Sequence, residues 1–104
     1  DVSGASIMVV DDDVVQSRRL NEKLSSNYVV APFVDHMQAL DAAKTSPNID
    51  LIIISHNLND IDGLRLATQF KAIEATRHVP IIMLIEEEQQ NVMLKALDLG
   101  VNDY

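Results

Sequence analysis

Four times along the chain a short apolar run gives way to a stretch with helical spacing. Ile7–Val10, Tyr28–Phe33, Leu51–Ile54 and Val79–Ile85 read as strands, from their length, β-branched content and polar boundaries. Helices are predicted over Val14–Leu24, over His36–Thr45 and from Gly63 to about Ile73. A fourth is predicted over Gln89–Leu99, closed by Gly100. Ser17, Leu20 and Leu24 mark the inward stripe of the first helix. Asp35 is placed to cap the second, Pro47 and Asn48 break it, and Asp62 is placed to cap the third. In the fourth, Met93, Leu94 and Leu97 cannot all face a sheet together with Val92, Ala96 and Leu99. That helix either turns one side to a partner or is simply broad in apolar character.

Strands alternating with helices imply right-handed crossovers and a parallel sheet with helices on both faces. The expected architecture is a flavodoxin-like, doubly wound α/β fold. In such sheets ligands gather beyond the carboxyl ends of the strands. The first strand ends in Asp11, Asp12 and Asp13, and the third ends in Ser55-His56-Asn57. One crevice should therefore hold an acidic cluster and a serine.

Composition narrows the chemistry. The 104 residues suit one domain, and no apolar run approaches the length of a membrane helix. A net charge of -8 argues against nucleic-acid binding, which needs a basic face. The absence of cysteine excludes disulfides and thiolate metal sites and fits a cytoplasmic protein. There is no Gly-rich phosphate loop, and His36 and His78 have no metal-ligand spacing to a partner. The chain starts at Asp1 without a methionine, so the expectation is a single domain over residues 1–104 cut from a longer protein.

Five pieces in order carry a family resemblance: Val9-Val10-Asp11-Asp12, Asp50-Leu51-Ile52, Asp62-Gly63-Leu64, Val79-Pro80-Ile81-Ile82-Met83-Leu84, and Ala96-Leu97-Asp98-Leu99-Gly100 leading to Asn102-Asp103-Tyr104. Over nearly its whole length the chain resembles the CheY-like receiver domain of two-component response regulators. The wording Asp62-Gly63-Leu64-Arg65, Thr76-Arg77-His78-Val79-Pro80 and Lys95 to Asp103 is similar to the second, degenerate receiver of PleD-type proteins. Those carry two receivers in tandem ahead of a diguanylate cyclase domain. The resemblance implies a fifth strand and helix, and the pattern stops at Tyr104 before them. The expected fold is thus truncated, with Val79–Ile85 an unpaired apolar edge that invites self-association.

In an active receiver an aspartate takes the phosphoryl group, aided by magnesium held on an acidic pair. By resemblance Asp11 and Asp12 match that pair, and Ser55 stands at the acceptor position. Asn57 matches the residue whose backbone carbonyl completes the metal shell. Ile85 falls at the hydroxyl position and Tyr104 at the aromatic switch position. Serine without an adjacent base is a weak nucleophile, and Ile85 offers no hydroxyl. Two carboxylates about 4 Å apart cost on the order of 4 kcal/mol at an effective dielectric near 20, so a serine at 55 relieves crowding. It also removes a metal ligand, leaving at most a weak, vestigial magnesium site at Asp11, Asp12 and Asn57, or a merely solvated pair. Glu86, Glu87 and Glu88 add negative charge beside the site, though glutamates also suit the first turn of a helix.

The expectation is a non-catalytic, non-phosphorylatable pseudo-receiver. It would have no cofactor and would be a homodimer that couples a neighbouring receiver to a diguanylate cyclase domain. The alternatives are a phosphoreceiver with an atypical acceptor and a stand-alone adaptor domain.

Overall fold

The computed structural model describes residues 4–45, 48–56, 58–86 and 92–96, with the backbone alone described at 86 and 92–96. Strands β1 (Ser6–Val10), β2 (Val29–Phe33), β3 (Leu51–Ser55) and β4 (Ile81–Glu86) alternate with helices α1 (Val14–Leu24), α2 (His36–Thr45) and α3 (Gly63–Ala72). The first four strands are mutually parallel and lie in the order β2-β1-β3-β4. The chain steps from β1 outward to β2, then back across to β3, so the strand order reverses beside β1. That reversal opens a crevice between the carboxyl ends of β1 and β3.

Local chemistry starts each helix. Asp13 sits at φ -84 and ψ 105, and its carboxylate accepts from the N–H groups of Val15 (3.0 Å) and Gln16 (3.2 Å). Asp35 accepts from Met37 at 2.9 Å, and Asp62 from Leu64 at 2.8 Å. Each bond satisfies a donor that the first helical turn leaves open. Pro32, which cannot donate to a ladder, lies on the outer strand β2.

The alternation along β1 and β3 splits the core in two. Met8, Val10, Ile52 and Ile54 pack with Ala39 and Ala43 of α2 and with Leu66, Ala67 and Phe70 of α3. Ile7, Val9, Ile53 and Leu84 form the opposite face, against Leu20 and Leu24 of α1. Ser17 of α1 is buried as its stripe predicts. At the far end of α3 the Lys71 ammonium donates to the carbonyls of Arg77 and Val79, tying the helix to the approach to β4. Burial lowers the pKa of that amine.

One predicted helix is corrected. Over residues 92–96 the expected fourth helix is instead β5 (Val92–Ala96), antiparallel to β4, running from Glu86↔Val92 to Ile82↔Ala96. The rest of the predicted Gln89–Leu99 helix lies outside the described residues. A short apolar segment can satisfy either period, and the outer edge of β4 presents backbone groups that need partners. β5 supplies them, so the β4 edge expected to stand open is covered from within the chain. Glu86, expected at a helix start, closes β4. Among the described residues no helix is long and apolar enough to cross a membrane.

Candidate functional site

The crevice joins two loops, one leaving β1 and one leaving β3. Asp11 follows β1 directly, and its backbone N–H donates to the Phe33 carbonyl of β2 at 3.0 Å. Its side chain is 1% exposed. One carboxylate oxygen accepts from the Asp13 N–H at 2.9 Å, the other from Gln16 Nε2 at 2.7 Å. Burial pushes the Asp11 carboxyl above its ordinary pKa. The Asp13 and Gln16 hydrogen bonds oppose that rise, while the charges of Asp13 and Asp12 add to it.

Asp12 is half-buried and reaches across the crevice. Its Oδ2 accepts from the backbone N–H of Asn59 at 2.6 Å, a contact between residues 47 apart in sequence. This charge-assisted bond ties the β3–α3 loop to the end of β1. The acidic pair thus has a structural task on both members: Asp11 orders the turn into α1, and Asp12 holds the opposite loop.

Ser55 ends β3, level with Leu84 of β4, and is 7% exposed. The next residue, His56, donates its N–H to the Leu84 carbonyl at 2.8 Å. Gly63 opens α3 immediately beneath. A Cβ there would lie 2.7 Å from the Ser55 carbonyl oxygen and 3.0 Å from both His56 Cα and Met83 Sδ. The missing side chain lets α3 start against the β3 backbone. Ile85 lies one residue beyond the level of Ser55, half-buried against the α2–α3 core. Asn57 and Tyr104, matched by resemblance to the metal shell and the switch aromatic, lie outside the described residues.

The structure therefore brings Asp11, Asp12 and Ser55 to the carboxyl ends of neighbouring strands, with Ile85 on the next strand over. Two residues that sequence reasoning did not single out complete the picture. Gln16 stands three residues after the helix-capping Asp13, a position that often reaches back to the start of its helix. Here it reaches Asp11 instead. Asn59 acts through its backbone, and a backbone donor leaves no signature in residue type.

Magnesium asks for near-octahedral oxygen donors with carboxylate charge. Two carboxylates already accepting hydrogen bonds, beside a serine, are a poor match for that demand. Among the described residues no group of three or more His, Cys, Asp or Glu side chains is placed to hold a metal ion.

A parallel α/β sheet with carboxylates at the end of β1 and the switch-point crevice beside them is the architecture of a signalling receiver. The chain belongs to the response regulator receiver domain family, which matches residues 7–104. It is 29% identical over 106 residues to the response regulator PleD of Caulobacter vibrioides, covering 96% of this chain and 22% of that protein. It is 26% identical over 104 residues to the cyclic di-GMP phosphodiesterase response regulator RpfG of Xanthomonas campestris, covering 97% of this chain and 27% of that protein. The chain thus spans about a quarter of the length of these curated relatives.

Among solved structures, the receiver domain of the sensor histidine kinase PA1611 of Pseudomonas aeruginosa superposes with a TM-score of 0.74 at 30% identity. That match covers 86% of this chain and 73% of the other, which carries a magnesium ion in its active-site cleft. The chemotaxis protein CheY4 of Vibrio cholerae superposes with a TM-score of 0.76 at 24% identity, covering 82% of this chain and 71% of that one, a likeness of fold. Receiver domains are signalling modules, and this chain has that architecture.

Proposed function

We propose that the chain is a phosphorylation-silent receiver that works as an adaptor within a two-component signalling protein. The observation that carries the reading is Ser55. A neutral, buried hydroxyl occupies the end of β3, where the family resemblance places the phosphoryl-accepting carboxylate. Ile85, without a hydroxyl, stands on the neighbouring strand. Neither side chain supplies the nucleophile or the contact that phosphoryl switching uses. Asp12, meanwhile, is engaged with the loop it would otherwise help a metal to organise.

As the likeness to PleD-type proteins implies, the adaptor would lie between an active receiver and a diguanylate cyclase domain in the cytoplasm. It would relay the neighbour's phosphorylation by docking and by pairing with a second copy, so that two cyclase domains meet. Any magnesium held by Asp11, Asp12 and Asn57 would be weakly bound and vestigial.

An amide NMR titration with magnesium and beryllofluoride tests the reading. The expected result is no saturable shift at Asp12, Ser55 or Ile85 that needs both additives. Weak shifts with magnesium alone fit the vestigial site. Saturable shifts that require both would mean the crevice still takes a phosphoryl mimic, and the adaptor reading would fall.

A further inference from the structure

A hollow of about 360 Å³ lies between α2 and the β1–β2 pair, and none of Asp11, Asp12 and Ser55 lines it. Residue size explains why it stays open. Val29, Ala31 and Phe33 alternate onto one face of β2 and line the hollow together. Val29 and Ala31 are exposed there, although a sheet face beneath a helix is ordinarily covered. The cover is short because α2 turns alanines to the sheet. Ala39 and Ala43 are buried in the core, and Ala42 borders the hollow. Ala31 and Ala42 are thus walls without the bulk to close the gap. Met8, only 3% exposed, shuts it on the core side. Two paired strands and a helix frame the hollow, so it is formed before anything enters.

The lining sets the class of ligand. It is apolar apart from Ser6, Thr45 and Asn48, and it carries no charged side chain. An ion entering would shed hydration and meet no counter-charge. The Thr45 hydroxyl donates to the Ala42 carbonyl at 3.3 Å, which leaves its oxygen to accept from a ligand. We propose that the hollow binds a neutral small molecule, an aromatic body carrying one hydrogen-bond donor. Its volume falls within the range of about 300–1,000 Å³ usual for such sites. A strand added at the neighbouring edge fits poorly. The Val29 N–H donates to the Ala5 carbonyl and the Phe33 carbonyl accepts from the Asp11 N–H, so both residues bond toward β1. Val30 and Pro32 therefore bond outward, and Pro32 has no N–H to offer.

Phe33 joins the hollow to the crevice: it lines the one, and its carbonyl holds the Asp11 N–H at 3.0 Å in the other. A receiver without a phosphoryl acceptor gains a chemical input of another kind by this route. The test is an NMR titration of the 104-residue chain, without magnesium or beryllofluoride, using indole. Indole-3-carboxylate and tryptamine serve as its anionic and cationic relatives. Indole is expected to give saturable shifts at the amides of Met8, Ala31, Phe33 and Ile49. Both ions should bind more weakly by on the order of tenfold or more. Ala42→Leu, which fills the hollow, should abolish the indole shifts while the chain keeps its melting temperature. If Ala42→Leu does not fold, Ala31→Leu fills the same space from an exposed strand position and should do likewise.

Equal binding of the charged relatives would overturn the proposal, as would unchanged indole affinity in the leucine variant. Shifts at these amides on dilution of the chain alone would assign the hollow to a second copy and overturn it as well. Failure here leaves a silent phosphoryl site intact. A responding phosphoryl site leaves indole binding intact, so the two readings fail separately.

Discussion

The two halves of the crevice differ in what their side chains do. On the β1 side every carboxylate is used: Asp11 holds the turn and Gln16, Asp12 holds the Asn59 N–H, and Asp13 caps α1. On the β3–β4 side the positions that resemblance assigns to phosphoryl chemistry carry a buried serine and an isoleucine packed against the core. The acidic half has a structural reason to persist that does not depend on a metal. Among the described residues no comparable tie is seen at Ser55. The difference teaches that a surviving acidic pair is weak evidence for surviving chemistry when its oxygens also order the backbone.

The sharpest way to break this contrast is to place a carboxylate at position 55. At a separation of about 4–5 Å an added charge costs on the order of 4 kcal/mol at an effective dielectric near 20. Ser55→Asp should therefore lower stability in urea melts by up to about that amount without metal. Millimolar magnesium should restore much of the loss, while leaving the unsubstituted chain nearly unmoved. Equal stability of Ser55→Asp with and without magnesium would show that the acidic half no longer cooperates with position 55.

Next in size is Gly63→Ala, which forces a methyl group to within 2.7 Å of the Ser55 carbonyl oxygen. A loss of about 1–3 kcal/mol is expected, read as a lower urea midpoint with an unchanged slope. A neutral result would mean that α3 retreats freely and that the floor under Ser55 is not tightly packed.

The bond across the crevice is smaller. Asp12→Ala and Asn59→Pro each remove it, one at the acceptor and one at the N–H, at about 1 kcal/mol each. The double variant should cost clearly less than the sum of the two. Strict additivity would deny the tie between the halves.

The smallest effect is a slope with pH. Asp11 has a raised pKa in the folded chain, so the folded state holds its proton more tightly than the unfolded state. Its contribution to stability is fully present below about pH 4, the ordinary carboxylate value, and is lost as pH rises through the raised value. Asp11→Asn should flatten that fall, with Gln16 free to turn its amide oxygen toward the new amide. Urea midpoints compared across this window would expose an unchanged slope if burial of Asp11 is not its origin.

Much of this was legible in the residues themselves. α1 and α2 run where the spacing places them, and β1, β3 and α3 agree within a residue. The reason is local: Asp35 and Asp62 announce their helices as caps, and the structure adds Asp13 as the cap of α1, all through bonds spanning two or three residues. β2 and β4 begin later than their apolar runs do, because ladder pairing rather than side-chain type ends a strand. Ser55 and Ile85 could be read as departures from a receiver pattern without any coordinates.

The sequence alone determined the alternating strands and helices, the acidic end of β1 and the absence of a carboxylate at position 55. Each is written in residue type and short-range spacing. Tertiary structure decided the rest: that Val92–Ala96 pairs as a strand along β4, and that Asp12 finds a backbone donor 47 residues away. It also decided that Gln16 turns to Asp11. A short apolar run carries no mark of the edge that will recruit it, and a backbone N–H is the same in every residue that has one. Such contacts exist only once the chain has brought distant segments together.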